Sequence, residues 1–245
     1  MEHTAPHRPL HAWLLAARLR TLPLACASIL LGSGMAAQAG GFQGGVLLLS
    51  LLTAILLQVL SNLANDYGDA QSGVDDASRT GPVRAVASGL LTPDAMRRGM
   101  LLTGLAAAIA GLSLLFVAFG SDLRSWLVFV LLGAASLLAA ITYTVGLGGK
   151  PYGYRGLGDV AVFVFFGLLG VLGTLYLHTQ SLSGLAILPA AVCGLLATAV
   201  LAVLGRGADR RPHPRQHLPD SCLGACPGYR RGAAHRPPAH LVEGA

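Results

Sequence analysis

Gln58, Asn62, Asn65, Asp66 and Asp69 recur at three- and four-residue spacings across the end of a long apolar run. On a helix such spacings put side chains on one face. An apolar helix thus acquires a polar stripe that ends in carboxylates, and Asp75 and Asp76 follow. A carboxylate near lipid is costly and implies a functional partner. Mg²⁺ carrying a phosphorylated substrate fits, because Mg²⁺ prefers hard oxygen ligands and usually takes one or two carboxylates plus phosphate. The alternative is a helix end whose polar residues meet lipid headgroups.

Two further stretches carry cations. Arg79-Thr-Gly-Pro82-Val-Arg84 follows the carboxylates, with turn signals at Gly81-Pro82 and Ser88-Gly89. The guanidinium of Arg84 matches phosphate oxygens in a fork; the competing role is an arginine that sets topology. The second stretch runs from Tyr143 through Lys150, Tyr152, Tyr154 and Arg155 to Asp159, and is rich in glycine. Glycines let backbone approach a ligand, and Lys150 and Arg155 can bind anions. The tyrosines can stack on an aromatic ring or belong to the interfacial aromatic belt. Asp159 opens a helix, where the dipole alone favours a carboxylate.

These groups need a scaffold, and the composition supplies its class. The 245 residues are 53% hydrophobic and only 11% charged, which predicts an all-α polytopic membrane bundle. Six runs approach the roughly 20 residues needed to span: 13–39, 45–65, 99–119, 123–143, 158–177 and 185–204. The first includes Arg18, Arg20 and Pro23, so its start is expected at the interface, where Arg snorkels. It lacks the cleavage site of a removable leader and is expected to stay as a membrane helix. Gly104 and Gly111, and Gly167, Gly170 and Gly173, suit close helix approach in lipid.

Residues 1–12 form a short leading segment, 13–204 the membrane domain and 205–245 a tail. The net charge of +6 calls for no nucleic acid, since Lys and Arg gather in alternate loops and in the tail. The loops near 66–98 and 146–157 are basic; the other three are nearly uncharged. The positive-inside rule therefore puts the N-terminus and both motif loops on the cytoplasmic side of a bacterial inner membrane, as one site built from two loops requires. The tail, rich in Arg, Pro and His, is expected to be disordered. Its Cys222 and Cys226 fit no common zinc spacing.

Four blocks in order resemble one family: Arg18-Leu-Arg20-Thr-Leu-Pro23, Ser61-Asn-Leu-Ala-Asn-Asp-Tyr-Gly-Asp69 with Asp75, Arg79-Thr-Gly-Pro-Val-Arg84, and Lys150-Pro-Tyr-Gly-Tyr-Arg-Gly-Leu-Gly-Asp159. They are similar to the UbiA superfamily of intramembrane aromatic prenyltransferases, over about residues 13–201. The spacing from Asp69 to Asp75 resembles its naphthoate branch. The resemblance implies transfer of a polyprenyl group from polyprenyl diphosphate to 1,4-dihydroxy-2-naphthoate, with loss of CO₂ and diphosphate, giving demethylmenaquinone. It implies Asp66, Asp69 and Asp75 as Mg²⁺ ligands, and Asp66, Asp69, Arg84 and Lys150 as catalytic groups. Asn62, Asn65, Arg20, Arg79, Tyr143, Tyr154, Arg155 and Asp159 would contact substrate.

The family has about nine membrane helices and a second aspartate motif after the sixth. Here an Arg-rich run containing Asp209 stands in that place, and nothing apolar follows. The expectation is a truncated or frameshifted product, since Arg, Pro, Ala and Gly have G/C-rich codons; genuine divergence is the competing account. A fragment that binds Mg²⁺ and prenyl diphosphate, or a partner chain, without turnover is the second function. A small transporter is a third, weakened because no inverted repeat is apparent.

Overall fold

The protein is described from a computed structural model over residues 9–72, 84–142 and 157–208. Asp75, Arg79, Tyr143, Lys150, Tyr152, Tyr154 and Arg155 lie outside the described residues, as does the tail from 209, with the expectations attached to it.

Every regular element among the described residues is a helix. In order they are α1 (Pro9–Ala17), a 3₁₀ turn (Leu19–Thr21), α2 (Leu22–Gln38), α3 (Gly44–Ser72), α4 (Pro93–Phe119) and α5 (Leu123–Thr142). Then come α6 (Gly158–Val162), a π-helical stretch (Phe163–Gly173), α7 (Thr174–Thr179), a 3₁₀ turn (Gly184–Ala186) and α8 (Ile187–Ala208). Six helical segments are long and apolar enough to cross a membrane, as the six apolar runs predict. The faces they leave open are hydrocarbon, with Leu101, Leu105, Ile109, Leu112 and Phe116 exposed along α4. Such a continuous apolar face suits lipid rather than water.

Two boundaries differ from expectation. The apolar run was expected to end as a helix at Asn65, but α3 continues to Ser72. Asp66 and Asp69 therefore stand on the same helix as the rest of the stripe, as their spacing predicts. Packing holds that last part: Leu63 and Tyr67 join Ala12, Ala16, Ala85, Leu91 and Met96 in one cluster. At the other side of the loop, α4 starts at Pro93, so Arg97 and Arg98 are helical. Thr92 caps that start by accepting the Ala95 N–H at 3.2 Å, with Pro93 in the first turn.

α3 is the central helix and packs against α4, α2, α5 and α1. α2 also packs on the π-helical stretch, which in turn packs on α8. Small residues make these crossings close. A Cβ on Gly167 would stand 2.7 Å from the Gly194 Cα of α8, and one on Gly170 would stand 2.8 Å from the Ser28 Cβ of α2. Gly104, Gly111 and Gly173 do not serve such crossings: a Cβ there meets only ordinary contacts at 3.5 Å or more.

The ends of the bundle are built differently. At the end away from the carboxylates, His178 is buried and stacks on Phe42 with ring centroids 5.5 Å apart. The Gln43 backbone N–H donates to His178 Nδ1 at 3.1 Å. A backbone N–H can only donate, so Nε2 carries the ring proton and donates to Ser33 Oγ at 2.9 Å. The Gln43 amide also donates to the His178 carbonyl at 2.9 Å. This knot ties the connection between α2 and α3 to the end of α7.

Candidate active site at the end of α3

The site begins with the stripe on α3. Asn62, Asp66 and Asp69 are buried, and Asn65 is half-buried. Asp66 is among the most deeply buried side chains of the protein, with 1% of its surface exposed. It is satisfied by main chain. One carboxylate oxygen accepts the Ala85 N–H at 2.8 Å and the other accepts the Val86 N–H at 3.0 Å.

Those amides belong to a tight turn over residues 84–91. The Ser88 and Leu91 N–H groups donate to the Arg84 and Ala85 carbonyls at 3.0 and 2.9 Å, and the Ser88 hydroxyl donates to the Arg84 carbonyl at 2.6 Å. Gly89 takes φ +74°, a left-handed conformation that suits glycine. Ala85 and Leu91 sink into the cluster with Ala12, Ala16, Leu63 and Met96. The turn is thus held by apolar packing below and by a carboxylate beside it.

Arg84 opens the turn and pairs with Asp69, both buried. A buried guanidinium needs such a partner. The pair and Asp66 together make one constellation of two acids, one cation and two main-chain donors.

Below Asp66 by one helical turn, Asn62 does a different job. Its Nδ2 donates to the Ala17 carbonyl at 2.8 Å and to Thr21 Oγ1 at 2.9 Å. Its Oδ1 accepts from the Gln58 amide at 3.2 Å. The stripe therefore divides: Gln58 and Asn62 reach toward the junction of α1 and α2, while Asp66 and Asp69 grip the 84–91 turn. Arg20 is exposed in the 3₁₀ turn at that junction. Asp159 stands in the first turn of α6, exposed, and its carbonyl accepts from Thr198 Oγ1 at 3.3 Å. Its side chain is not part of the buried constellation.

Asp66 and Asp69 fit a divalent cation as donors. Both offer hard oxygens one helical turn apart. Each carboxylate oxygen has two acceptor positions, so an Asp66 oxygen that holds one amide keeps a second lone pair. The third expected ligand, Asp75, lies outside the described residues.

The sequence reading passed over Thr21, Gln43 and His178. For His178 the signal was an ionisable residue inside an apolar run. For Thr21 it was the proline two residues later, since Pro favours the first turn of a helix and so marks a new start.

Comparison with known proteins shows which family the chain belongs to. Residues 25–212 match the model of the UbiA prenyltransferase family. The chain is 50% identical over 190 residues to the 1,4-dihydroxy-2-naphthoate octaprenyltransferase of Escherichia coli K12, covering 78% of this chain and 61% of that one. It is 50% identical over 194 residues to the protein of the same name from Haemophilus influenzae Rd, covering 78% and 62%. The Mycobacterium tuberculosis H37Rv protein of that name is 40% identical over 189 residues, covering 77% and 61%. The aligned part of the chain thus spans about three fifths of the length of these relatives. No solved structure matches the chain. With a family match over most of its length, the chain belongs to the UbiA prenyltransferase family.

Proposed function

We propose that the protein transfers a polyprenyl group from polyprenyl diphosphate to 1,4-dihydroxy-2-naphthoate in the bacterial inner membrane. The observation that carries this reading is 50% identity to two enzymes of that name across the segment that holds the buried acids and Arg84.

In this reading the prenyl C–O bond breaks and its electron pair leaves with diphosphate. The guanidinium of Arg84, held by Asp69, stabilises that departing charge. Lys150 does the same from the second motif stretch. Asp66, Asp69 and Asp75 hold Mg²⁺, which when bound supplies further positive charge against the diphosphate. Asn65, Arg20, Arg79 and Arg155 orient the anionic groups, with Asn62 and Asp159 at the margins. Tyr143 and Tyr154 are assigned to binding the aromatic acceptor. The acceptor ring forms the new C–C bond at the allylic carbon and loses its carboxylate as CO₂, whose bond electrons restore the ring, giving the reduced quinol form of demethylmenaquinone. The apolar helices hold the prenyl tail and keep water from the allylic cation. The N-terminus and both motif loops are cytoplasmic.

The experiment is conversion of dihydroxynaphthoate and a polyprenyl diphosphate to prenylated quinone in membranes lacking the native enzyme. Mg²⁺-dependent product that disappears in Asp69→Asn supports the reading. Product formation unaffected by Asp69→Asn overturns it.

A second reading is binding of the prenyl diphosphate without turnover. It is favoured by one observation: both Asp66 oxygens and one Asp69 oxygen already accept from the protein's own donors, Ala85, Val86 and Arg84. Tight Mg²⁺-dependent binding of a prenyl thiodiphosphate with no product would select this reading.

A further inference from the structure

Asp66 and Asp69 both hold the 84–91 turn, but by ties of different kinds. Asp66 holds amides, those of Ala85 at 2.8 Å and Val86 at 3.0 Å. An amide carries no net charge, so a cation can use the second lone pair of either oxygen without meeting one of its own sign. Asp69 holds a guanidinium, with Arg84 Nη2 donating to Oδ2. A guanidinium is always charged. A divalent cation on the same carboxylate would be its close neighbour of like sign. Both side chains are more than nine-tenths removed from solvent, and there like charges repel far more strongly than in water. Arg84 and a divalent cation are therefore competitors for Asp69, though not for Asp66.

The competition has a second side. Arg84 cannot simply let go, because a buried guanidinium without an acid is strongly unfavourable. Whatever takes Asp69 must come with a new anionic partner for Arg84. A metal ion alone brings none. A diphosphate does, since its oxygens suit the guanidinium fork and it travels with the metal.

The turn is built so that the side chain can change partners while the backbone stays. The Arg84 carbonyl accepts from the Ser88 N–H at 3.0 Å and from the Ser88 hydroxyl at 2.6 Å. The next two residues keep their amides on Asp66. Ala85 and Leu91 are buried beneath. Losing the tie to Asp69 thus loosens the turn without releasing it.

We propose that the Arg84–Asp69 pair is an autoinhibitory contact: Arg84 keeps a divalent cation off Asp69 until a diphosphate arrives to take the guanidinium. The proposal rests on the prenyl-transfer reading above and adds an order to it. Metal and diphosphate are held well together and poorly apart, and by linkage each raises the affinity for the other equally.

The test is binding to the full 245-residue chain in lipid nanodiscs, with Mg²⁺ alone, farnesyl thiodiphosphate alone, and both. Arg84→Gln keeps a donor for Asp69 and removes the charge. It tightens Mg²⁺ alone about tenfold, within the usual range of coupling between sites. The mutual tightening of metal and thiodiphosphate falls by a similar factor. Arg84→Lys, which keeps the charge, leaves Mg²⁺ alone weakly bound. Arg97→Gln removes an exposed arginine paired with Asp94 and leaves it weakly bound too, which separates the contact from a general effect of charge. The unaltered chain gives a readout that needs no variant. Saturating Mg²⁺ alone speeds hydrogen exchange at the Ser88 and Leu91 amides, and added farnesyl thiodiphosphate slows it again. Unchanged Mg²⁺ affinity in Arg84→Gln, or slower exchange with Mg²⁺ alone, overturns the proposal while leaving prenyl transfer standing. Failure of the unaltered chain to bind farnesyl thiodiphosphate with Mg²⁺ removes the prenyl-transfer reading, and this proposal with it.

Discussion

Arg84 and Asp69 form an ion pair in which both side chains are more than nine-tenths removed from solvent. The two residues come from different elements, Asp69 from the last part of α3 and Arg84 from the start of the turn that follows the loop. The pair therefore ties the 84–91 turn to α3 and fixes where a guanidinium sits relative to two acids.

Breaking this pair separates stability from chemistry. Removing one partner leaves a buried charge and costs about 3–5 kcal/mol. Arg84→Met alone should lower the melting temperature of the purified protein markedly. The double variant Asp69→Leu/Arg84→Met should recover most of that loss, since an apolar pair can replace a buried ion pair. It should show no prenyl transfer. A double variant as unstable as the single would contradict this account of the pair.

Asp66→Asn tests the grip on the 84–91 turn. The substituted amide keeps one acceptor oxygen and turns an N–H₂ group toward an amide donor, so one hydrogen bond is lost. The expected outcome is faster hydrogen exchange at the amides of Ala85 and Val86, which Asp66 now holds at 2.8 and 3.0 Å. Transfer should fall by on the order of 10²–10³, as when one well-placed electrostatic stabiliser is removed. Slow exchange together with normal turnover would sink both roles.

The close crossing of the π-helical stretch and α8 predicts a contrast between two glycines. At Gly167 a Cβ would meet the Gly194 Cα at 2.7 Å, and backbone cannot swing aside. Gly167→Ala should cost about 1–3 kcal/mol, the usual range for overpacking. At Gly173 the nearest atom is a Leu169 methyl at 3.5 Å. Gly173→Ala should be neutral or stabilising. Thermal unfolding in detergent reads both, and equal effects would mean that the helices do not cross as described.

The orientation across the membrane is open to chemical labelling. Ser88 is exposed in the turn beside the acids. A cysteine placed there, in a chain whose four native cysteines are replaced, should resist impermeant thiol reagents added outside sealed cells. It should react once the cells are opened. Labelling from outside would reverse the topology drawn from the loop charges.

The membrane spans were legible because a run of about 20 apolar residues has few other uses. The acids were legible because Gln58, Asn62, Asn65, Asp66 and Asp69 repeat at helical spacing. The same polarity misplaced the end of α3. Hydropathy falls at Asn65, yet the helix continues because its backbone hydrogen bonds are indifferent to side-chain polarity and Tyr67 packs on its neighbours. What each polar residue touches was not legible. Asn62 and Asp66 differ by one turn, but one meets α1 and the other meets the turn after the loop. Such pairings depend on contacts across 45 and 19 residues of chain, respectively. No local pattern encodes them.

Asp66 holds its partners by their main chain, and that has a consequence for how the protein can drift. Backbone N–H groups are the same for every residue except proline. Substitution at Val86 should leave the contact intact for any residue but proline, and at Ala85 for any that also fits its buried site. Of the two positions directly bonded to Asp66, Val86 can thus vary widely in identity, and Ala85 only among residues small enough for its buried site. A scan of side-chain deletions would pass over them, while a proline scan would find them at once.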